Sequence, residues 1–139
     1  MTRQVDEVDL WLVGSGPMAR AYSAVLDDLG FDFRVIGRSQ QSAEAFEAAT
    51  RHPVRTAGVR SAIKSGCAPS RAIVAVGVDQ LAGVACELLD AGTERILLEK
   101  PGAMSLKELE QVDARAGSAT VMIAYNRRHY ASTAAARRM

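Results

Sequence analysis

Short apolar runs alternate along this chain with stretches of helical period. Val8-Asp9-Leu10-Trp11-Leu12-Val13 is mostly apolar and ends at a glycine, the signature of a strand buried on both faces. Behind it, Met18, Ala21, Tyr22, Val25, Leu26 and Leu29 recur at i, i+3, i+4, i+7, i+8 and i+11. That spacing predicts a helix with this stripe turned to the core. Gly30 follows at the position where helices commonly end in left-handed geometry. A second strand is predicted from Phe33 to Ile36, then an alanine-rich helix from about Gln41 to Ala49. The weakly patterned stretch from Arg51 to Gly58 predicts a short strand around Val54, with a one- or two-turn helix near Val59 to Lys64. Ala72 to Gly77 is the clearest strand, and Leu81, Val84, Ala85, Leu88 and Leu89 mark the helix after it, closing at Gly92. Ile96-Leu97-Leu98 gives a fifth strand and Ala119 to Ala124 a sixth. Between them Ser105-Leu106-Lys107-Glu108 reads as a capping box that opens another helix.

Strands alternating with helices of this length predict an α/β fold, a mostly parallel six-stranded sheet wrapped on both faces through right-handed crossovers. Residues 1–124 read as one domain without repeats or a low-complexity linker. After Tyr125 the chain turns basic and then helical, and it stops at Met139 without a helix cap. Residues 125–139 are therefore expected to open a connection to a further, C-terminal domain that this sequence lacks.

Composition narrows the classes. With 139 residues, 48% hydrophobic and 24% charged, the chain has the make-up of a single soluble globular domain. Seventeen Lys and Arg against 16 Asp and Glu leave a formal charge of +1, which gives no electrostatic reason to expect nucleic acid or an anionic membrane as partner. Met1 to Glu7 is polar and mixed in charge, and no stretch approaches the roughly 20 apolar residues of a membrane span. A cytoplasmic protein is the expectation. Cys67 and Cys86 stand alone, without C-x-x-C spacing or nearby histidines, and are expected to be small buried thiols rather than metal ligands.

Gly14-Ser15-Gly16-Pro17-Met18-Ala19 has the form G-x-G-x-x-A and lies between the first strand and the first helix. Gly14 allows the sharp turn, Gly16 lets backbone N–H groups approach a pyrophosphate, and Ala19 keeps the helix close to the sheet. The helix start adds free donors and a partial positive charge, and Pro17 is tolerated there because its missing N–H is not needed. With its strand, helix and second strand in place, the pattern predicts a dinucleotide site in a doubly wound Rossmann fold. An acidic residue at the end of the second strand would hold the ribose 2′-hydroxyl of NAD(H). Gly37-Arg38-Ser39-Gln40 stands there instead. Arg38 can clamp a 2′-phosphate, with Ser39 as a further donor, so NADP(H) is favoured and NAD(H) possible. The alternative is an exposed arginine beside a serine that only caps the next helix.

Two further motifs resemble one family. Glu99-Lys100-Pro101 after the fifth strand, and Tyr125-Asn126-Arg127-Arg128-His129-Tyr130 after the sixth, are similar to the glucose–fructose oxidoreductase / inositol dehydrogenase / rhizopine-catabolism (Gfo/Idh/MocA) family. The resemblance implies an NAD(P)-dependent oxidoreductase whose Rossmann domain is joined to a C-terminal α/β domain that binds substrate and supports homo-oligomers. It implies hydride transfer between nicotinamide and a carbon of a sugar, cyclitol or sugar nucleotide. Lys100 resembles the family's active-site lysine, at the carboxyl end of a central strand where ligands of open α/β sheets bind. Pro101 restricts Lys100 to extended geometry, and partial burial would lower its pKa. Without the family, Lys100 would read as a surface lysine.

By the same resemblance Glu99 is a supporting partner or a cofactor contact, Val76 and Gly77 pass beneath the cofactor, and Asn126 and Arg127 approach the nicotinamide. Arg127 or Arg128 could equally pair with surface carboxylates. The family's usual proline and histidine after the fourth strand are replaced by Val78-Asp79 and Leu81. Asp79 is then a candidate helix cap. His52 and His129 have no assigned chemistry. A fragment without the substrate domain is expected to turn over little. A different class also fits, a non-catalytic module that senses a dinucleotide; it would keep Gly14, Gly16 and Arg38 without needing Lys100. A reductase of amino-acid biosynthesis with the same opening motif is a further alternative, disfavoured by Tyr125 to Tyr130.

Overall fold

The structure is a computed structural model that describes residues 8–139; the polar lead-in Met1 to Glu7 lies outside the described residues. Six strands, β1 (Leu10–Val13), β2 (Arg34–Ile36), β3 (Val54–Arg55), β4 (Arg71–Val74), β5 (Arg95–Leu98) and β6 (Thr120–Ile123), alternate with helices. These are α1 (Pro17–Asp28), α2 (Gln40–Thr50), α3 (Gly58–Lys64), α4 (Leu81–Asp90), α5 (Leu106–Ala116) and α6 (Ala131–Ala136). Short 3₁₀ turns precede α4 (Val78–Gln80) and α6 (Asn126–His129).

All the strands pair in parallel, in the order β3-β2-β1-β4-β5-β6. β1 is central, with Val13 opposite both Ile36 of β2 and Val74 of β4. The order reverses between β1 and β4, the switch point beyond which open α/β sheets bind their ligands. Side chains alternate across the pleat. Trp11 and Val13 join Val74, Leu88, Ile96 and Leu98 in the larger core, under α3, α4 and α5. Leu12 and Val35 meet Ala19 of α1 and Phe46 of α2 on the other face. The fold is thus the doubly wound Rossmann arrangement that the alternation of strands and helices predicts.

Helix ends follow their local chemistry. α1 closes in a Schellman pattern, with the Phe31 N–H donating to the Leu26 carbonyl (3.0 Å) and Gly30 at φ 71°. Ser39 caps α2 and Ser105 caps α5, each hydroxyl accepting from the backbone N–H three residues on. Glu108 reaches back to the N–H of Met104 (2.8 Å), one residue before the serine that the capping-box pattern predicts.

Several expectations need correction. The predicted core stripe of α1 is largely exposed: Met18, Ala21, Val25 and Leu29 face solvent, the last two at 53% and 65%. The face on the sheet is Ala19, Ser23 and Leu26, with Tyr22 half-buried. Its small residues let α1 lie close to the sheet, and a periodicity reading weighted toward large apolar side chains passes over them. Cys67 is exposed rather than buried. Cys86 is half-buried, and that burial pushes its thiol pKa up. Asp79 caps nothing; α4 starts at Gln80 without a side-chain cap. His52 meets Asp27 at 2.9 Å and stacks on Phe33, centroids 4.5 Å apart, which ties the start of β3 to α1. No helix among the described residues is long and apolar enough to cross a membrane.

The corrected α1 face makes a stability prediction. Leu26→Ala should lower the unfolding free energy by about 2–4 kcal/mol, whereas Val25→Ala and Leu29→Ala should each stay within about 0.5 kcal/mol. Urea unfolding curves of the three variants check this, and a large loss at Leu29 would restore the predicted stripe.

Candidate functional site

The carboxyl ends of β1, β2, β4, β5 and β6 carry the residues singled out above, all on one edge of the sheet. At the end of β1 the chain turns at Gly14, whose φ is +124° and whose N–H donates to the Ile36 carbonyl (2.8 Å). A Cβ there would lie 2.1 Å from the Ala75 carbonyl oxygen, so two backbones already touch. Ser15 is buried, and its hydroxyl donates to Ser42 Oγ (2.9 Å). Gly16 differs from Gly14 in kind. It is extended (φ −90°, ψ −170°), and a Cβ built on it meets nothing within 4 Å. The protein's own packing therefore does not require glycine at that position. Pro17 opens α1, which has no side-chain cap and no acidic residue in its first turn. Met18 turns its side chain to solvent, leaving its backbone N–H as its contribution to that first turn.

At the end of β2, Gly37 donates to the Arg55 carbonyl (2.8 Å) and accepts from the Gly58 N–H (2.9 Å). These bonds fasten the start of α3 beside the glycine turn. A Cβ on Gly37 would meet Val54 Cγ1 at 2.7 Å and Ser15 Oγ at 3.2 Å. Arg38 is exposed. Of the two readings of Ser39, the structure shows the helix cap: its hydroxyl accepts from the Ser42 N–H and lies 2.7 Å from Ser42 Oγ. Ser15, Ser42 and Ser39 so form a chain of hydroxyls from the glycine turn to the residue beside Arg38.

A cleft of about 330 Å³ opens next to this turn. Gly14, Gly37 and Arg38 line one side, Val59 and Arg60 of α3 the second, and Val76, Gly83, Val84 and Glu87 the third. Arg60 and Glu87 pair across its rim at 3.0 Å. Sequence reading missed the α3 and α4 contributors. Gly83 was the one signal, a glycine inside a helix, which costs about 1 kcal/mol against alanine unless space is needed. Ala57, at φ 75°, is a non-glycine residue in left-handed geometry on the same wall.

The far end of the edge is differently built. The Glu99 N–H donates to the Val74 carbonyl (3.0 Å), its carbonyl accepts from Gly102 (2.9 Å), and its carboxylate accepts from the Tyr22 hydroxyl (2.5 Å). The Lys100–Pro101 peptide is cis. Lys100 stands exposed, so the partial burial expected of it is not provided by this chain. Val76 is half-buried in the cleft wall and Gly77 exposed beyond it. Asn126 and Arg127 are exposed in the turn after β6. Arg128 donates to the Ile123 carbonyl (3.2 Å). Among the described residues, neither Arg127 nor Arg128 pairs with a carboxylate. The same residues contain no cluster of side chains suited to a metal ion.

No protein-family model and no curated protein sequence matches the chain. Solved structures do. The WlbA dehydrogenase from Bordetella pertussis, in complex with NADH and UDP-GlcNAcA, superposes with a TM-score of 0.79 at 18% identity over 93% of this chain. The UDP-N-acetylglucosamine 3-dehydrogenase GnnA from Acidithiobacillus ferrooxidans gives 0.72 at 16% over 93%. Biliverdin reductase from Synechocystis, with biliverdin and NADP+, gives 0.73 at 18% over 94%. What they share with this chain is the fold. The chain spans 41%, 42% and 42% of their respective lengths.

The two glycines of the turn should fail in opposite ways. Gly14→Ala should destabilise by about 3 kcal/mol or more through strain and overpacking. Gly16→Val should leave the melting temperature within about 3 °C of the parent while removing dinucleotide binding. Thermal melts beside ligand titrations separate the two, and a Gly16→Val chain that still binds would exclude the turn as the site.

Proposed function

We propose that this chain is the dinucleotide-binding domain of an NAD(P)-dependent oxidoreductase of the Gfo/Idh/MocA type. Residues 1–124 form that domain and residues 125–139 begin the connection to a substrate domain. The observation that carries the reading is Gly16: a glycine whose missing side chain leaves open space above an uncapped helix start, at the switch point of the sheet.

In this reading the backbone of Gly14, Ser15 and Gly16 and the first turn of α1, including Met18 beyond Pro17, hold the pyrophosphate. The cleft lined by Val59, Val76 and Val84 takes the adenosine half, with Gly77 at its edge. Arg38, free of any ion pair among the described residues, holds a 2′-phosphate together with Ser39. That choice makes NADP(H) the preferred cofactor over NAD(H). The nicotinamide, when bound, supplies the hydride acceptor or donor. Glu99, Asn126 and Arg127 border it, and the Lys100 Nζ hydrogen-bonds the reacting oxygen of the substrate and takes part in its proton transfer.

A sugar, cyclitol or sugar nucleotide is the proposed substrate class. The sugar-nucleotide complex of the WlbA dehydrogenase supports it, as does the name of the 3-dehydrogenase GnnA. Biliverdin reductase has the same fold at a similar TM-score, so substrate choice rests on the substrate domain. A cytoplasmic, homo-oligomeric enzyme completes the proposal.

Calorimetric titration with NADPH and then NADH tests it. Saturable binding with NADPH tighter is expected. Arg38→Ala should weaken NADPH by roughly tenfold or more, the worth of a charge-assisted pair, and NADH by less than about threefold. Equal losses would remove the 2′-phosphate role. A folded chain that binds neither dinucleotide would remove the whole reading.

A further inference from the structure

One contact joins the two ends of the proposed site. The Tyr22 hydroxyl on α1 donates to Glu99 Oε1 across 77 residues of sequence. Glu99 directly follows β5 and immediately precedes Lys100. Its backbone is already fixed, the N–H donating to the Val74 carbonyl at the end of β4 and the carbonyl accepting from Gly102. Gly102 is buried at φ +86°, where a Cβ would strike Ile123 of β6 at 2.7 Å. The turn that carries Lys100 is thus held by β4 and β6 through backbone and close packing. Beyond these, the Tyr125 hydroxyl donates weakly to the Pro101 carbonyl (3.5 Å), and one side-chain bond, from Tyr22, ties the turn to α1, the helix whose first turn is proposed to receive the phosphates.

Packing alone does not call for that hydroxyl. The half-buried ring lies against the Leu12, Val35 and Phe46 cluster, where phenylalanine would serve as well. We infer that Tyr22 is a positioning residue: through Glu99 it aligns the Lys100 turn with the phosphate-binding helix, so that the nicotinamide half of the cofactor is bound in register with the lysine. The inference rests on the dinucleotide reading given above. Burial, and secondarily the Glu99 carboxylate, push the Tyr22 pKa up. The phenol therefore remains a protonated donor throughout the neutral range.

The test compares NADPH with 2′-phospho-ADP-ribose, which makes the same adenosine and phosphate contacts but has no nicotinamide. Tyr22→Phe should weaken NADPH roughly five- to tenfold, less than the full worth of a hydrogen bond to a charged group because the bond lost is within the protein and acts on the ligand indirectly, and leave 2′-phospho-ADP-ribose within about twofold. In a Glu99→Ala background the same substitution should cost NADPH nothing further, because the effect runs through the carboxylate. Equal losses for the two ligands would overturn the inference, and so would an undiminished loss in the Glu99→Ala background. A Tyr22→Phe chain that does not fold overturns it too, since the phenol would then hold the fold rather than the turn. A parent chain that binds neither ligand removes the dinucleotide reading itself, a result visible before any variant is made.

Discussion

At Gly14 and Ala75 two backbones pass so close that no side chain fits between them. The end of β1 passes so near the segment following β4 that even a methyl group at Gly14 would sit 2.1 Å from a carbonyl oxygen. Two hydrogen bonds lock the approach, Gly14 N–H to Ile36 and Ala75 N–H to Val13, at 2.8 and 2.7 Å. Three strand ends are thereby fastened together where the order of the sheet reverses. From that point α1 leaves toward one face of the sheet, and the chain after β4 leads into helices on the other. The crevice between them follows from this divergence, and it leaves Gly16 uncovered.

The same constraint explains which parts of the fold were legible in the sequence. β1 and β4 are buried on both faces, so their apolar runs stand out against the polar turns around them. β3 is a two-residue edge strand with half-buried side chains, and it left only a weak trace around Val54. α1 was located correctly but rotated. Close approach at the turn demands Ala19 and Ser23 against the sheet, and these score as less apolar than the Met18, Val25 and Leu29 that face water. Stripe reading finds large residues. This interface was made from small ones.

The site was legible where one local motif builds it and illegible where the fold assembles it. G-x-G-x-x-A and Arg38-Ser39 are contiguous, and the roles proposed for them rest on spacing alone. The cleft wall from Arg60 to Glu87 joins two helices on the far side of the sheet, with the lone glycine Gly83 as its only mark in the sequence. The bond from Tyr22 to Glu99 left no mark at all. Each residue reads alone as ordinary, a helix tyrosine and a strand-end glutamate. Only the crossover that lays α1 over the middle of the sheet makes them neighbours.

The two halves of the edge differ in a way that bears on what each can do. Gly14, Ser15 and Gly37 are buried, and the cleft beside them is walled on three sides. Lys100, Asn126 and Arg127 stand in solvent. Charge interactions in open water are weakened several-fold relative to a partly enclosed site, which is why enzymes close over the groups that stabilise a reacting centre. In the proposed reading, binding strength should therefore reside on the side of this cleft, whose walls the chain builds by itself. The chemistry proposed for Lys100 would need a surface that excludes water from it. The bond from Tyr22 to Glu99 lies on the boundary between these halves, where the position of the lysine can be set by the same helix that is proposed to hold the phosphates.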